Sequence, residues 1–525
     1  MGLKGGMLRS FKYNYRFENL NAAHGRRVGN FVLPCVLILF FSLSSEARSF
    51  KGKNQLRVKG ERWRKTYSSK VISAKNKRVG LRRHPLKKSL GSKGARKNLH
   101  TKPHRRKRNQ SSSAKLLISD IEAFRSRIKM IRDAKTSIDF STHNFNADRF
   151  GMMIISELVA ASKRGVRVRI LLDDYGLLEG AHYRVTHPRN KSIASTRGIP
   201  PALQKQLVAE GISVSIYNPV FSRKSYKNPK NVTFRMHDKL ILADGYSMII
   251  GSRNTGEGYF GRKKKYYRTW RNVDAQLTGA SVGQAQSYFD SLWGNPKVFS
   301  LEHSKSDNTQ KRLIDYWSEV SKRYYLRLPS LSGVEYTDTN PEFIHGDPLR
   351  HGKGGGVHKR LLQAIDGSKN QIDLYSFYFL PSEDLLNALH RASKRGVKIR
   401  VYTNSRKNTE SKLVQAVFET LLPKYRSLGI ELYGYEFEDI ALHRKEILID
   451  KKLVIIGSYN PSSRSKELNT EIAIKFENKE LASELDKRSQ DIRKNSFPLL
   501  PLMELGFFQK WLGRTILATE LNEQL

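Results

Sequence analysis

The nine residues 236–244 read MHDKLILAD and the nine residues 442–450 read LHRKEILID, so one pattern occurs twice in the chain. Both copies have the form H-x-K-x-x-x-x-D. Each copy is followed by a short apolar stretch that ends in G-S-x-N, at 251–254 and at 457–460. The serine follows the histidine by 15 residues in both copies, from 237 to 252 and from 443 to 458. A polar set repeated with its spacing intact indicates an internally duplicated fold.

The spacing within each motif predicts a β-hairpin that presents polar groups at one end. Residues i and i+2 of a strand face the same side, so His237 shares a face with Lys239, and His443 shares one with Lys445. An apolar run then enters the core, and turn residues reverse the chain. The return strand brings the serine and the asparagine back beside the histidine. Each half therefore presents an imidazole, an ammonium, a hydroxyl and an amide at one edge of a sheet.

This combination of groups suits a phosphodiester. Lysine and asparagine hydrogen-bond non-bridging oxygens and stabilise the charge that develops at phosphorus. One histidine can attack phosphorus as a nucleophile while a second protonates the leaving oxygen. Because each half carries one histidine, we expect the two halves to form one site. The residues expected to bind the substrate phosphate are Lys239, Lys445, Asn254, Asn460, Ser252 and Ser458.

The duplicated motif resembles the signature of the phospholipase D superfamily, and longer matches resemble its C-type bacterial cardiolipin synthases. These matches lie between residues 116 and 480, at 161–169, 235–237, 251–254, 259–261, 396–399, 402–405, 464–465 and 468–471. The resemblance implies an α/β fold of two tandem phospholipase D-like lobes. Each lobe has a mixed sheet flanked by helices, and a pseudo-two-fold axis relates the lobes, with the active site at their interface. It also implies His237 as the nucleophile and chemistry without a metal or another cofactor.

The resemblance further implies an acid beside each catalytic histidine. In the superfamily, acids that begin the strand after the second motif orient the histidines, and this role falls on Asp274 and Glu471. A neighbouring carboxylate fixes the tautomer of an imidazole and stabilises the imidazolium. Asp244 and Asp450 open the hairpin turns, where aspartate is commonly a structural hydrogen-bond acceptor, so we expect them to be structural.

The order of apolar patterns also indicates an α/β fold. The first half is predicted to contain a helix over 116–134, a strand over 137–140, a helix over 149–163 and a strand over 166–172. The second half repeats this order with a helix over 361–365, a strand over 371–375, a helix over 382–394 and a strand over 397–403. Strand–helix–strand order predicts a sheet in each half. We assign lobe 1 to 116–330 and lobe 2 to 331–495.

The region before lobe 1 combines a targeting segment with a basic arm. Two arginines precede the apolar run 31–43, which predicts a signal peptide over 1–47, with an uncleaved anchor as the alternative. Residues 48–115 contain 25 lysines and arginines but one acidic residue, so we expect a disordered arm. This arm is either an electrostatic tether to anionic lipid or polynucleotide, or a solvated spacer.

The formal net charge of +47 indicates anionic partners. We expect an anionic phospholipid membrane and a phospholipid substrate as partners, with nucleic acid as an alternative partner of the arm; the active site does not require an oligomer. The predicted location is outside the cytoplasm, in the periplasm, the cell envelope or the medium, with peripheral membrane contact. Residues 496–525 are predicted to form an amphipathic helix that docks at a membrane interface or packs against one of the lobes.

These features predict a cardiolipin synthase-like phosphatidyltransferase that acts on phospholipid phosphodiesters through a covalent phosphohistidine. If water is the acceptor, the enzyme is instead a phospholipase D that releases phosphatidic acid. The motifs do not separate the two because acceptor choice depends on pocket shape and water exclusion. A secreted nuclease of the same superfamily and a non-catalytic polyanion-binding protein are further alternatives.

Overall fold

The structure is a computed structural model that describes residues 112–179, 198–220, 230–261, 269–331, 333–337, 339–349, 355–409 and 412–499. All of these residues belong to one unit of the chain. The predicted signal peptide, residues 48–111 of the arm and residues 500–525 of the predicted C-terminal helix lie outside the described residues. Within the described ranges, no helix is both long enough and apolar enough to cross a membrane.

The described part of the first half of the chain has eleven strands, nine of which form one mixed sheet. Its strands are β1 (Ser113–Leu117), β2 (Ser137–Thr142), β3 (Arg167–Asp173), β4 (Ser213–Tyr217), β5 (Arg235–Met236), β6 (Lys239–Ala243), β7 (Ser247–Gly251), β8 (Thr269–Arg271), β9 (Asp274–Thr278), β10 (Val298–Ser300) and β11 (Glu335–Thr337). Its helices are α1 (Asp120–Asp133), α2 (Arg149–Lys163), α3 (Asp174–Glu179), α4 (Pro201–Ala209), α5 (Lys230–Thr233), α6 (Glu257–Phe260), α7 (Ala280–Trp293) and α8 (Asn308–Leu326). The strand order in the sheet is β10-β4-β3-β2-β6-β7-β9-β1-β11.

The described part of the second half has ten strands, eight of which form one mixed sheet. Its strands are β12 (Glu342–His345), β13 (Gln371–Ser376), β14 (Lys398–Asn404), β15 (Ile430–Tyr435), β16 (Ile440–Leu442), β17 (Lys445–Ile449), β18 (Leu453–Gly457), β19 (Asn469–Thr470), β20 (Ile472–Glu477) and β21 (Ser496–Pro498). Its helices are α9 (Gly356–Asp366), α10 (Glu383–Lys394), α11 (Lys412–Ser427), α12 (Ser463–Glu467), α13 (Lys479–Arg488) and α14 (Gln490–Lys494). The strand order in this sheet is β12-β20-β18-β17-β13-β14-β15-β21.

The two sheets repeat one topology, which confirms the predicted α/β fold of two related lobes. In each sheet three parallel strands, β2-β3-β4 or β13-β14-β15, are followed by the antiparallel motif hairpin, β6-β7 or β17-β18. The crossover helices α2 and α10 end at equivalent glycines, Gly165 and Gly396, which have φ of +89° and +85°. Glycine adopts this left-handed conformation without steric cost, so each helix stops where the next strand must begin.

The lobes pack together through the apolar residues of the two motif hairpins. One buried cluster contains Leu240, Met248 and Ile250 from lobe 1 together with Leu448, Val454 and Ile456 from lobe 2. These side chains alternate along their strands with residues that face the helices of their own lobe, as the period of two requires. Burial of this shared apolar surface holds the lobes as one body and fixes the position of one motif relative to the other.

The element boundaries differ from the sequence expectations at both ends of the lobes. The predicted helix over 116–134 instead comprises the strand β1 and the helix α1, because the alternating burial of residues 113–117 favours a strand that pairs with β9. Strand β11 follows residue 330 but still pairs with β1 in the first sheet. Residues 496–498, assigned to the terminal helix, form β21 and pair with β15.

The two motif aspartates lie at the turns of the hairpins, at the opposite end of the strands from the histidines. Asp244 and Asp450 have φ of +56° and +51°, a conformation that aspartate tolerates better than most residues. The Asp244 carboxylate accepts hydrogen bonds from the backbone N–H groups of 135–137, and that of Asp450 from those of 369–371, at 2.7 to 3.1 Å. Partial burial raises the pKa of both carboxyls, but these donors outweigh it and bring the pKa below its usual value.

We therefore expect Asp244→Ala to lower the free energy of unfolding by about 1 to 2 kcal/mol, since the backbone donors lose their acceptor. A group whose pKa is depressed in the folded state stabilises it above its unfolded pKa, and this contribution fades as pH falls through the folded pKa. The gap in stability between the wild type and the variant should narrow as pH falls below about 4, and the part that remains reflects the left-handed conformation of residue 244. Denaturant unfolding across this pH range measures the difference; a constant gap between the two proteins would contradict the assignment.

Candidate active site

Two short parallel strand pairs cross between the lobes and bring the motif histidines to their partners. Strand β5 of lobe 1 pairs with β19 of lobe 2, and β16 of lobe 2 pairs with β8 of lobe 1. His237 follows β5, and its backbone N–H donates to the carbonyl of Thr470 at 3.3 Å. His443 follows β16, and its N–H donates to the carbonyl of Arg271 at 2.8 Å. Each histidine is thus held by backbone of the opposite lobe.

His237 contacts a carboxylate from the other half of the chain. Its Nδ1 lies 3.0 and 3.1 Å from the two carboxylate oxygens of Glu471. Ser465 donates to the same carboxylate at 2.7 Å, and the hydroxyl of Ser458 donates to it as well. Burial raises the pKa of Glu471, while Lys239 and these hydroxyl donors oppose that rise. The carboxylate therefore fixes the rotation of the His237 ring and leaves its Nε2 directed away from Glu471.

His443 contacts an amide rather than the predicted acid. Its Nδ1 lies 2.8 Å from Oδ1 of Asn272. Asp274, which was expected to orient a histidine, instead accepts hydrogen bonds from Arg127 and Arg253 at 2.8 and 3.0 Å. Burial raises the pKa of Asp274, but the two guanidinium groups outweigh it, and the pKa lies below its usual value. Asp274 is a buried ion-pair residue, and the prediction that it orients a histidine is wrong.

The strand register explains this correction. Gly251 pairs with Asp274 in lobe 1, and the equivalent Gly457 pairs with Ala473 in lobe 2. The residue two positions before Asp274 is therefore the counterpart of Glu471, and that residue is Asn272. The connection from the motif serine is longer in lobe 1 than in lobe 2, so the register is not visible in the sequence.

The two motif lysines lie beside the histidines in equivalent positions. Nζ of Lys239 donates to the carbonyl of His237 at 2.5 Å, and Nζ of Lys445 donates to that of His443 at 3.1 Å. Both lysines are buried. Burial lowers the pKa of Lys445 far below its usual value, and the positive charge of Lys239 lowers it further. Two ammonium groups held together in this way are stabilised by an anion between them.

The motif asparagines and serines have different hydrogen-bond partners. The side-chain amide of Asn254 donates to the hydroxyl of Tyr259 at 3.0 Å, and the backbone N–H of Asn460 donates to Ser465 at 3.2 Å. Ser252 and Ser458 were expected to bind phosphate, but both are fully buried. Their hydroxyls donate instead to Asn272 and to Glu471, respectively. The serines therefore position the partners of the histidines, and the prediction of direct phosphate contact is corrected.

Four further residues surround the histidines and were not predicted. His143 lies with its ring centroid 5.1 Å from that of His237, and its Nδ1 is 2.9 Å from the carbonyl oxygen of Met236. The rings of Tyr259, Trp270 and Phe377 have centroids 5.3 to 5.6 Å from that of His443. Residues 143 and 377 directly follow the equivalent strands β2 and β13, so a histidine in lobe 1 corresponds to a phenylalanine in lobe 2.

The site as a whole is electropositive and largely buried. Burial lowers the pKa of His237 well below its usual value, and Lys239 and His143 lower it further. Burial also lowers the pKa of His443, as do the charges of both lysines and of His237. The charge of His237 acts on His443, and Lys239 and Lys445 act on both imidazoles, so these four residues lie near one another. A bound anion would reverse these shifts, because negative charge favours the protonated imidazole and the protonated amine.

Comparisons with known proteins agree with this geometry. A model of the family described as "Cardiolipin synthase, PLD-like domain" matches residues 128–293 and 361–492, more than half of the chain. Cardiolipin synthase C of Escherichia coli K12 is 27% identical over 419 residues, which cover 71% of this chain and 83% of that protein. An uncharacterized protein of Helicobacter pylori strain J99 is 25% identical over 435 residues, covering 75% of this chain and 82% of that protein.

The fold has a solved counterpart. The crystal structure of phosphatidylserine synthase from Haemophilus influenzae Rd KW20 aligns with a TM-score of 0.55 at 15% identity, covering 77% of this chain and 92% of that one. The chain belongs to the phospholipase D-like cardiolipin synthase family. It is an enzyme of the phosphodiesterase and phosphatidyltransferase class that this family defines.

Proposed function

We propose that the protein transfers phosphatidyl groups between alcohols through a covalent phosphohistidine. The observation that supports this most directly is the pair of imidazoles, the half-buried His237 and the buried His443, each oriented by a residue of the opposite lobe. In the first step Nε2 of His237 attacks phosphorus while His443 protonates the departing alcohol. In the second step His443 takes the proton of the acceptor hydroxyl, and the acceptor oxygen displaces His237 from phosphorus.

The partner of each histidine supports this division of roles. The nucleophile becomes a cationic N-phosphoryl imidazole and keeps that charge for the lifetime of the intermediate. The Glu471 carboxylate, hydrogen-bonded to His237, compensates such a charge. Asn272 offers His443 a dipole without a formal charge, which suffices for a group that carries a proton only briefly. His237 is therefore the proposed nucleophile.

The remaining polar residues are assigned to the phosphoryl oxygens. Lys239 and Lys445 supply positive charge on both sides of the cleft, where two non-bridging oxygens share the negative charge of the diester. The side-chain amides of Asn254 and Asn460 supply hydrogen-bond donors at neighbouring positions. Because Lys239, Lys445 and Asn254 are held by hydrogen bonds before substrate binds, little reorganisation of these groups is needed as charge develops in the transition state.

The aromatic rings around His443 favour an alcohol over water as acceptor. Tyr259, Trp270 and Phe377 enclose the imidazole that is proposed to activate the acceptor. An apolar wall excludes water and accommodates the carbon skeleton of an alcohol such as a glycerol headgroup. With phosphatidylglycerol as both donor and acceptor, the products are cardiolipin and glycerol. We also propose export from the cytoplasm and peripheral attachment to anionic lipid through the basic arm over 48–115.

Incubation of the purified protein with vesicles of labelled phosphatidylglycerol tests this function. We expect cardiolipin and glycerol as products, with phosphatidic acid as a minor product, and no turnover by a His237→Asn variant. Phosphatidic acid as the main product would favour a phospholipase D, and cleavage of DNA without lipid turnover would favour a nuclease. Binding of lipid or DNA without turnover of either would leave a polyanion-binding protein and overturn the proposal.

A further inference from the structure

The hydrogen bonds of Asn272 determine which way its amide points. Its Nδ2 lies 3.0 Å from the carbonyl of Trp270, and a carbonyl can only accept a hydrogen bond. The amide oxygen must therefore be the atom that faces Nδ1 of His443 at 2.8 Å and the hydroxyl of Ser252 at 3.2 Å. Since this oxygen can only accept, Nδ1 of His443 carries a proton. In the uncharged imidazole the Nε2 atom then holds a lone pair.

The counterpart of this amide in the other half is a charged group. Asn272 and Glu471 occupy equivalent positions in the strand register, and each accepts a hydrogen bond from the motif serine of its own lobe. A carboxylate in hydrogen-bond contact favours the protonated imidazole and raises its pKa, commonly by about 1 to 3 units. An amide oxygen orients the ring in the same way but stabilises a positive charge far less.

The other surroundings of His443 also disfavour a positive charge. The titratable groups that act on its ring are Lys445, Lys239, His237, His143 and Tyr259. The first four are cationic when protonated, and the tyrosine is neutral at ordinary pH. Among the residues that the structure describes, no carboxylate contacts the His443 ring. The aromatic side chains of Trp270 and Phe377 remove water that would otherwise solvate an imidazolium.

We propose that Asn272 keeps His443 uncharged in the free enzyme, so that this histidine takes up its proton only when an anionic phosphodiester enters the cleft. This inference rests on the proposed function, because it concerns the acid of that reaction. Nε2 gains a proton from solvent as the diester binds and passes it to the departing alkoxide oxygen while the phosphorus–oxygen bond breaks. His443 is then neutral again and ready to accept the proton of the second alcohol. Asn272 is thus a positioning residue that links protonation of the general acid to occupancy of the site.

Histidine-detected NMR of the full-length protein tests this directly, with inorganic phosphate as the anion. The His443 signal is assigned from its absence in His443→Gln. In the free wild-type enzyme at neutral pH we expect an uncharged ring with its proton on Nδ1, and addition of phosphate should convert it to the imidazolium. A ring that is already protonated without phosphate, or one that stays neutral when phosphate is bound, would overturn the proposal. This measurement requires no variant at position 272 and no turnover.

Asn272→Asp gives a second, independent test, and Glu471→Gln is its matched control. With a carboxylate at 272 we expect the pKa of His443 to rise by about one unit or more, so that the free ring becomes protonated at a higher pH than in the wild type and phosphate shifts its titration less. The acidic limb of the pH–rate profile should change while the ring orientation is kept. Glu471→Gln should move the titration of His237 and leave that of His443 in place. An unchanged His443 titration in folded Asn272→Asp would contradict the role of the amide.

These outcomes separate the inference from the proposed function. If lipid transfer is absent but phosphate protonates His443, the site binds anions as inferred and the proposed reaction fails. If lipid transfer occurs but His443 is protonated in the free enzyme, the reaction stands and the role of Asn272 fails.

Asn272→Ala separates orientation from charge, since it removes the acceptor without adding a carboxylate. This variant should lower kcat, and Asn272→Asp should restore part of that loss above neutral pH.

Discussion

Replacement of His237 by asparagine should abolish phosphatidyl transfer, with kcat falling by about 10⁴-fold or more. The reason is that the other basic groups at the site are held in other contacts. The lysines donate to backbone carbonyls, His443 is held by Asn272, and Nδ1 of His143 faces the carbonyl of Met236. Binding of phospholipid vesicles should be retained, because the two lysines remain. Single-turnover kinetics with labelled phosphatidylglycerol measures the loss.

The variant His443→Gln should behave differently, and the difference distinguishes an acid from a nucleophile. With phosphatidylglycerol we expect a loss of about 10²- to 10⁴-fold, the usual contribution of a general acid. With a phosphatidyl ester of p-nitrophenol, whose leaving group needs no proton, the first step should recover most of its rate. A His443→Gln variant equally impaired on both substrates, or a His237→Asn variant rescued by the activated ester, would reverse the assignment of roles.

The second large effect is expected from the two motif lysines. Lys239→Met and Lys445→Met remove the positive charge but keep most of the side-chain volume, so the buried sites stay filled. Each substitution should lower kcat by about 10²- to 10³-fold, comparable with removal of one preorganised donor from a developing oxyanion. The matched control is Lys452→Met. This lysine is exposed at the turn between β17 and β18, and its replacement should leave kcat unchanged.

Steady-state kinetics on mixed micelles separates the kcat and KM effects of these variants. The account requires a fall in kcat, because the lysines act on charge that develops in the transition state. If Lys239→Met and Lys445→Met raised KM alone, the lysines would serve only to attract anionic lipid. Circular dichroism and unfolding midpoints for all three variants exclude a loss of fold as the cause.

The fold and the positions of the motif histidines and lysines followed from local patterns. The duplicated spacing predicts a hairpin that begins at each motif lysine, and this holds in both sheets. The histidines lie two residues before these strands, outside the hairpin pairing, and are held by the opposite lobe. The helices α2 and α10 begin and end close to the predicted residues, since apolar periodicity and the glycine stops are local signals. Family membership followed from the same motifs and is confirmed by the family model.

The partners of the histidines depend on contacts that no local pattern contains. Asn272 meets His443 because β8 pairs with β16 across the lobes, and Glu471 meets His237 because β19 pairs with β5. The prediction for Asp274 was wrong because Asp274 and Glu471 were treated as equivalent from the sequence alone. In the strand register the residue equivalent to Glu471 is Asn272. The prediction for the serines was wrong for a related reason. Strand alternation does not show whether a serine faces the substrate or the residues that hold the histidines, and both hydroxyls face those residues, Asn272 and Glu471.

The most direct test of the account is to identify the residue that carries the phosphatidyl group. His443→Gln slows both steps for natural substrates, but with the p-nitrophenyl ester only breakdown remains slow, so the intermediate should accumulate. After an alkaline quench, which preserves phosphohistidine, peptide mass spectrometry should find the label on His237. Label on another residue, or no covalent label while transfer proceeds, would contradict the central claim that His237 is the nucleophile of a two-step transfer.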